Sequence, residues 1–313
     1  MPRVLLIAPY VGEFGWELMN WQGRVRYMAR HGRFERVIVA AAPGRRALYE
    51  GAGVEFHPVV VPALGGVASE DHRILDDGTR MPAGRIREML ERSMSDVFRK
   101  VSSCEVESLY PPLDGRLWPT TDEWQIFSEL RRPRPLATDI VLVDRQRSSA
   151  SERNLSESWW SELHEALSRK GLRVERYVHD VGSAIEQLSG TRLAIGGSTG
   201  GLHLASLCRC PHYVWGCDSS QRWTALRMSN RQRYQTFWNP LGTPVIYDEC
   251  GWTPSVGHVV GQALSALARI GLSREARPAT SVKWRVKRGL ARIVQNNRSW
   301  PWKVRRLVHE ALV

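Results

Sequence analysis

The stretch that decides the fold runs from Ile195 to Ala205 and reads Ile-Gly-Gly-Ser-Thr-Gly-Gly-Leu-His-Leu-Ala. An apolar segment ends at Ile195, and another apolar segment starts at Leu202. Between them lie four glycines with Ser198 and Thr199. A short buried strand, a glycine-rich loop and a helix in immediate succession are typical of a βαβ unit, and they predict a parallel sheet.

This glycine loop also predicts an anion site. Glycines let a ligand approach the backbone closely, and the first N–H groups of a helix have no partner inside it. Together with the helix dipole, these groups favour a phosphate. A tight turn packed on a neighbouring element is the alternative for such a loop, but the two hydroxyls and a nearby imidazole favour anion binding. The predicted phosphate ligands are Ser198, Thr199, Gly200, Gly201 and His203.

The same pattern extends outward over the chain. Further apolar segments that predict strands lie at 4–8, 37–41, 54–61, 140–143, 172–177 and 213–215. The 313 residues are 42% hydrophobic, which is enough for two separate cores. Residues 108–137 contain five prolines, so we expect the interdomain linker there. The predicted fold class is α/β, with Rossmann-like parallel-sheet domains over 1–135 and 136–272 that face a cleft, and a basic helical tail over 273–313.

A polar loop follows the predicted strand at 140–143. Ligands of open parallel sheets bind at the carboxyl ends of the strands, so this loop is expected to open on the same edge as the glycine loop. The planar guanidinium of Arg145 or Arg147 suits a diphosphate, and Asn154 closes the loop. The alternative is that these arginines are solvated.

A second glycine loop, Gly12-Glu13-Phe14-Gly15-Trp16-Glu17, follows the first predicted strand. A carboxylate at a cleft mouth can act as a general base, so Glu13 is the first catalytic candidate and Glu17 the second. Gly12 and Trp16 are candidates for acceptor binding, since an indole can stack on a sugar. The alternative is that both acids only stabilise a helix N-terminus.

The positive charge of the chain is concentrated at one end. The net charge is +12, and residues 281–313 hold nine Lys or Arg residues and one Glu, which leaves +4 for the rest. The body of the protein is therefore not expected to bind nucleic acid. The tail has apolar helical stripes beside these charges, which predicts either binding to an anionic membrane surface or packing on the protein body.

The cysteines and histidines do not have the spacing of a metal site. Cys208-Arg-Cys210 is not a zinc pattern, and no second Cys pair or His pair completes it. The histidines other than His203 likewise have no ligand spacing. The sequence therefore predicts free thiols, no metal and no cofactor.

Residues 194–216 resemble the donor-site segment of the heptosyltransferase-like glycosyltransferases, which have the GT-B fold. The resemblance also includes the loop of Gly12 and Glu13, where this family has Gly-Asp and draws its catalytic base. Ser198 replaces the acidic residue that usually precedes Thr-Gly. More weakly, the stretch 145–154 is similar to the O-linked xylosyl- and N-acetylglucosaminyltransferases. The matching donor-segment residues are Ser198, Thr199, Gly200, His203, Ala205, Pro211 and Gly216.

The resemblance implies an enzyme that moves a hexosyl or heptosyl group from a nucleotide sugar to a hydroxyl of a glycan or lipid-linked acceptor, without a metal. It implies a cytoplasmic protein of polysaccharide biosynthesis, peripheral on the inner face of the membrane if the tail binds lipid. Two alternatives remain open: a pyruvyl- or phospho-sugar transferase of similar plan, and a non-catalytic protein that binds nucleotides or carbohydrate.

Overall fold

The computed structural model describes residues 1–61, 71, 73–74, 79–113, 125–146, 151–217, 229–235 and 238–273. These residues form two compact units, with the main division between Phe127 and Ser128. The limits at 135 and 272 stay predictions. The basic tail lies outside the described residues, and so does Arg147.

The first unit is built on a parallel sheet of four strands in the order β3-β2-β1-β4. These strands are β1 (Arg3–Ile7), β2 (Arg36–Ala41), β3 (Glu55–Pro58) and β4 (Glu105–Leu109). The central strand β1 pairs Ile7 with Val39 of β2 and with Leu109 of β4. The carboxyl ends of β1 and β4 are therefore side by side.

Helices follow the strands of the first unit. They are α1 (Phe14–Trp16), α2 (Gln22–His31), α3 (Arg46–Tyr49), α4 (Ala83–Ser93) and α5 (Ser95–Lys100). A π-helical turn over Glu17–Trp21 joins α1 to α2, and all five of its residues are buried. Ile86, Leu90 and Val97 of α4 and α5 pack on Leu6 and Ile38, which forms the core on that side of the sheet.

The second unit contains a parallel sheet of five strands in the order β6-β5-β7-β8-β9. These strands are β5 (Thr138–Val143), β6 (Val174–Arg176), β7 (Thr191–Gly197), β8 (His212–Trp215) and β9 (Val245–Asp248). The helices along this part of the chain are α6 (Glu157–Ser168), α7 (Val181–Ser189), α8 (Gly200–Leu207), α9 (Asn230–Gln235) and α10 (Val256–Ser273).

Local sequence explains how these elements begin and pack. All six residues of β5 are buried, as expected for an inner strand of a parallel sheet. Ser156 starts α6, where its Oγ accepts a hydrogen bond from the N–H of Trp159 at 3.2 Å. Trp160 of α6 and Trp215 of β8 then join the core between the sheet, α6 and α10, with ring centres 5.9 Å apart.

The predicted fold class, two parallel-sheet α/β domains, is confirmed. Arg73, which lies between β3 and α4, is only 4% exposed. The start of the predicted linker is also wrong, because β4 extends to Leu109. In the part of the chain that the structure describes, no helix is long and apolar enough to cross a membrane.

Candidate active site

The glycine loop lies at the carboxyl edge of the second sheet. Strand β7 ends at Gly197, Ser198 and Thr199 form the turn, and α8 starts at Gly200. In the adjacent strand, Val143 of β5 pairs with Gly196. The loop that follows β5 therefore begins beside the glycine loop, as open parallel sheets with ligands at this edge require.

Part of the glycine pattern serves packing rather than ligand binding. A Cβ at Gly196 would meet the carbonyl oxygen of Val143, and a Cβ at Gly201 would lie 2.5 Å from Cγ1 of the same valine. At Gly197 a Cβ would lie 3.3 Å from the indole nitrogen of Trp215. These three glycines let β7 and α8 approach their neighbours, so their presence does not by itself indicate a phosphate.

The first turn of α8 nevertheless keeps donors for an anion. The backbone N–H groups of Gly200 and Gly201 have no hydrogen-bond partner among the described residues. The N–H groups before them are used: that of Ser198 donates to the carbonyl of Trp215 at 3.2 Å, and that of Thr199 to the Tyr234 hydroxyl at 3.2 Å. Two adjacent donors at a half-buried helix N-terminus suit one phosphate oxygen.

The hydroxyl of Tyr234 supports the glycine loop through two hydrogen bonds. Besides accepting from Thr199, its hydroxyl donates to Oγ of Ser198 at 3.2 Å, and the side chain is fully buried. The Ser198 hydroxyl is therefore tied to the protein scaffold. Sequence reasoning did not assign Tyr234 a role, because it lies 35 residues from Thr199 in no recognisable motif.

Arg153 is the arginine that reaches the glycine loop. It ends the 3₁₀ turn Ser151–Arg153, and its Nη2 donates to the carbonyl of Ser198 at 3.0 Å. Its guanidinium carbon lies 3.8 Å from the ring centre of Trp252, so the planar group stacks on the indole. The sequence hypothesis favoured Arg145 and Arg147 and missed Arg153, which lies later in the loop after β5.

The predicted ligands Arg145 and Asn154 bind each other. The Arg145 guanidinium donates to Oδ1 of Asn154, and Arg145 is only 6% exposed. Their contact joins the two ends of the loop after β5, which places them as supports of that loop. A direct role of either residue in donor binding stays a prediction.

His203 lies in an aromatic cluster rather than at the loop surface. Its ring centre is 4.9 Å from Tyr234 and 4.6 Å from Trp238. Burial, with smaller effects of His212 and Arg233, lowers the pKa of His203 to about 3. The imidazole is therefore neutral near pH 7 and cannot offer a positive charge to a diphosphate, so the predicted contact is limited to hydrogen bonding.

In the first unit, Gly12 and Glu13 form the turn after β1. Glu13 precedes the first residue of α1 in an extended conformation and is half-buried. A Cβ at Gly12 would lie 2.5 Å from the Tyr10 hydroxyl and 3.0 Å from Nη2 of Arg73, so a side chain there would require these two groups to move. The structure thus places Glu13 at the carboxyl edge of the sheet, next to a buried guanidinium that the sequence did not suggest.

Arg73 is itself held by an ion pair. Its Nε and Nη2 donate to the two carboxylate oxygens of Asp71, both at 2.7 Å, and its Nη1 donates to the carbonyl of Pro112 at 2.7 Å. Burial alone would raise the pKa of Asp71, but the hydrogen bonds and charge of Arg73 lower it on balance. The pair links the segment after β4 to the turn that carries Glu13.

The contacts of Glu17 are typical of a structural residue. The side chain is 4% exposed and accepts from Nε of Arg45 at 2.8 Å and from the Tyr49 hydroxyl at 3.2 Å. Burial raises the pKa of Glu17, and Arg45 opposes this effect. Trp16 is also buried, with 6% of its surface exposed, so little of its ring is available to a sugar. The catalytic role of Glu17 and the acceptor role of Trp16 stay predictions that these contacts do not support.

An open cavity of about 510 Å³ lies at the carboxyl end of β4, the neighbour of β1. Ser108 and Tyr110 line one side of it, and Ala83, Gly84 and Arg87 from the start of α4 line another. The Arg87 guanidinium carbon is 4.6 Å from the ring centre of Tyr110. The cavity therefore presents an aromatic ring, a guanidinium and a serine hydroxyl, which are groups that contact sugars.

Comparison with known proteins supports the fold. No family model matches this sequence, and no curated protein sequence matches it. Among solved structures, the E. coli ADP-heptose LPS heptosyltransferase II is similar over 85% of this chain and 99% of its own, with 11% identity and a TM-score of 0.51. The E. coli heptosyltransferase WaaC with ADP matches 84% of this chain and 99% of its own at 10% identity and a TM-score of 0.47.

A third similar structure, a glycosyl transferase family 9 protein from Veillonella parvula, covers 86% of this chain and 98% of its own at 10% identity and a TM-score of 0.48. Of these three similarities, only that to heptosyltransferase II has a TM-score above 0.5, and at 11% identity it supports a shared fold and leaves activity to the site itself. The resemblance to heptosyltransferase-like GT-B proteins, inferred from residues 194–216, is confirmed at the level of the fold: this chain has the fold of heptosyltransferase II.

Proposed function

We propose that this protein is a glycosyltransferase that moves a sugar from a nucleoside-diphosphate sugar to a hydroxyl of a glycan or glycolipid without a metal. The observation that carries the proposal is the first turn of α8, where the N–H groups of Gly200 and Gly201 have no hydrogen-bond partner among the described residues and Arg153 binds the carbonyl of Ser198 in the same loop. That turn lies in a fold shared with a heptosyltransferase.

The donor half of the reaction needs a diphosphate leaving group to be neutralised as its bond to the sugar breaks. Backbone donors and a helix N-terminus hold developing negative charge in place, as an oxyanion hole does. The Arg153 guanidinium adds a planar, permanently charged group. These protein groups supply the charge stabilisation that a metal ion would otherwise provide.

The acceptor half needs a base for the attacking hydroxyl. Glu13 is half-buried at the carboxyl edge of the first sheet, whereas Glu17 is already bonded to Arg45 and Tyr49. We therefore assign the proton transfer to Glu13, at its carboxylate oxygen, and the acceptor sugar to the cavity beside Tyr110 and Arg87.

The experiment is a screen of nucleotide sugars for thermal stabilisation and for hydrolysis or transfer. ADP-heptose is the first donor to test, because heptosyltransferase II, which shares the fold, is named for it. A donor at 100 times its dissociation constant should add about 2.7 kcal/mol to the free energy of unfolding. The Arg153→Ala variant should lose most of this stabilisation.

The outcomes separate the proposal from its alternatives. Turnover of a nucleotide sugar supports a glycosyltransferase. Binding of a nucleoside diphosphate with no turnover of any sugar ester, with glycan and lipid-linked acceptors present, would favour a non-catalytic binding protein. Turnover of phosphoenolpyruvate, or transfer of a phospho-sugar, would favour the other transferase classes.

A further inference from the structure

Three side chains with metal-ligand chemistry meet at the carboxyl end of β9. Asp248 ends the strand, Cys250 follows two residues later, and His258 lies in the first turn of α10. A carboxylate oxygen, the thiol sulfur and a ring nitrogen all lie within 4.8 Å of one another. We infer that these residues form a binding site for one transition-metal ion of the zinc type.

The backbone around this cluster is held in place. The N–H of Gly216 donates to the carbonyl of Asp248 at 3.0 Å, and the N–H of Gly251 donates to the carbonyl of Gly216 at 3.1 Å. Gly251 has a φ of +87°, which a residue with a side chain rarely adopts. The segment on both sides of Cys250 is therefore fixed to the end of β8.

The side chains already form one connected group. Oδ2 of Asp248 accepts from the Tyr213 hydroxyl at 2.7 Å and lies 2.7 Å from Nε2 of His258. Tyr213 is fully buried, so its hydroxyl orients the carboxylate from the protein side. Carboxylates bound to metals in proteins are commonly supported by such an outer hydrogen bond.

The donor set selects the kind of ion. Zinc binds thiolate sulfur at roughly 2.3 Å and imidazole nitrogen and carboxylate oxygen at roughly 2.0 Å, so tetrahedral ligand atoms lie about 3.3 to 3.6 Å apart. The distance from His258 Nε2 to Asp248 Oδ2 is 2.7 Å, so it would have to increase by roughly 0.6 Å to reach that spacing. One sulfur and one nitrogen disfavour magnesium and calcium, which take oxygen ligands.

Three protein ligands leave the fourth position for water, and the site is reachable from solvent. The side chains of Asp248 and His258 are 22% and 39% exposed. Binding would connect β9 to α10.

The test uses the full-length protein, purified without a polyhistidine tag and stripped with a chelator. Cobalt(II) is added while the thiolate-to-cobalt charge-transfer absorption is followed, and zinc content is measured by elemental mass spectrometry. We expect saturation at one ion per chain.

The variants test the individual ligands. Cys250→Ser should abolish the thiolate band, and His258→Ala should weaken binding at least tenfold. Cys104→Ser, which changes another half-buried free thiol in the first unit, is the matched control and should change nothing.

Protection from alkylation gives a second measurement that needs no variant. Zinc should slow the reaction of iodoacetamide with Cys250, mapped by peptide mass spectrometry, and leave Cys104 unaffected. Absence of a saturable thiolate band, a band that survives in Cys250→Ser, or equal alkylation of both thiols with and without zinc would overturn the inference. If Cys250→Ser does not fold, the half-exposed His258→Ala variant and the alkylation assay still decide.

Discussion

The turn after β1 and the turn after β7 share a local pattern but present opposite chemistry. Each follows a buried parallel strand at the carboxyl edge of its own sheet and leads into a helix. The turn after β1 presents the carboxylate of Glu13, whereas the turn after β7 contains no charged side chain and leaves the N–H groups of Gly200 and Gly201 open. The fold therefore sets where a ligand can bind, and a few side chains set its charge.

The largest expected effect distinguishes proton transfer, assigned to the turn after β1, from nucleotide binding, assigned to the turn after β7. Glu13→Gln keeps the shape of the side chain and removes the base, so kcat should fall by about 10² to 10⁴. The dissociation constant for nucleoside diphosphate, measured by calorimetry, should stay within about a factor of two, because that ligand is assigned to the other turn.

Glu88→Gln is a suitable control for this variant. Glu88 lies on α4 of the same unit with an exposed side chain, and it should leave kcat unchanged. Retention of kcat within a few-fold in Glu13→Gln would remove Glu13 from the reaction and leave the turn after β1 a structural feature.

The next prediction concerns stability, and it distinguishes a structural role of Glu17 from the catalytic role assigned to Glu13. Glu17→Ala leaves the Arg45 guanidinium, 14% exposed, without its carboxylate. Breaking a nearly buried ion pair in this way should cost about 3 kcal/mol of unfolding free energy in urea titrations. The double variant Glu17→Ala, Arg45→Met should recover part of the loss. A stable Glu17→Ala protein with low kcat would instead restore Glu17 as a catalytic candidate.

The sequence predicted the fold better than the element boundaries. The apolar segments at 4–8, 37–41 and 140–143 became central strands because both faces of a parallel strand are buried and the pattern is therefore continuous. Strand β4 escaped notice because Glu105 and Glu107 alternate with apolar residues on an edge strand. The same region is rich in prolines a few residues later, which suggested a linker.

The candidate site was only partly visible in the sequence, because its contacts join distant residues. The glycine loop could be recognised from its composition. In contrast, tertiary packing brings Arg153, Tyr234 and Arg73 to their turns, and the sequence does not show this packing. The cluster of Asp248, Cys250 and His258 joins a strand end to a helix, so it has no motif spacing. Conversely, His203 fits the family pattern yet packs among rings.

A smaller effect tests whether the turn after β7 is the donor site. Arg153→Ala removes a charged group that bonds the Ser198 carbonyl and stacks on Trp252. We expect the dissociation constant for nucleoside diphosphate to rise by roughly 10- to 100-fold, the effect of a hydrogen bond to a charged group. Arg153→Lys should recover only part of the lost affinity, because the ammonium group of lysine is not planar and cannot stack on Trp252 as the guanidinium does.

Arg169→Ala provides the matched control for Arg153→Ala. Its side chain is 66% exposed beyond the end of α6 in the same unit and pairs with Glu165 across one helical turn. It should change nucleotide affinity by less than twofold. An equal loss of affinity in the two variants would indicate general attraction of an anion rather than a site at the glycine loop.

The smallest effect tests the support under that loop. Tyr234→Phe keeps the ring in contact with His203 and Trp238 and removes the hydroxyl that bonds Thr199 N–H and Ser198 Oγ. Two hydrogen bonds of the half-buried turn lose their partner, which should lower the unfolding free energy by about 1 kcal/mol. Because the freed loop must be ordered again by the ligand, nucleotide affinity should fall about three- to tenfold, with kcat at saturating donor nearly unchanged.

Tyr27→Phe, on α2 of the other unit, is the control and should leave nucleotide affinity unchanged. A Tyr234→Phe protein with lower stability but normal affinity would show that the hydroxyl supports the fold without positioning the donor loop.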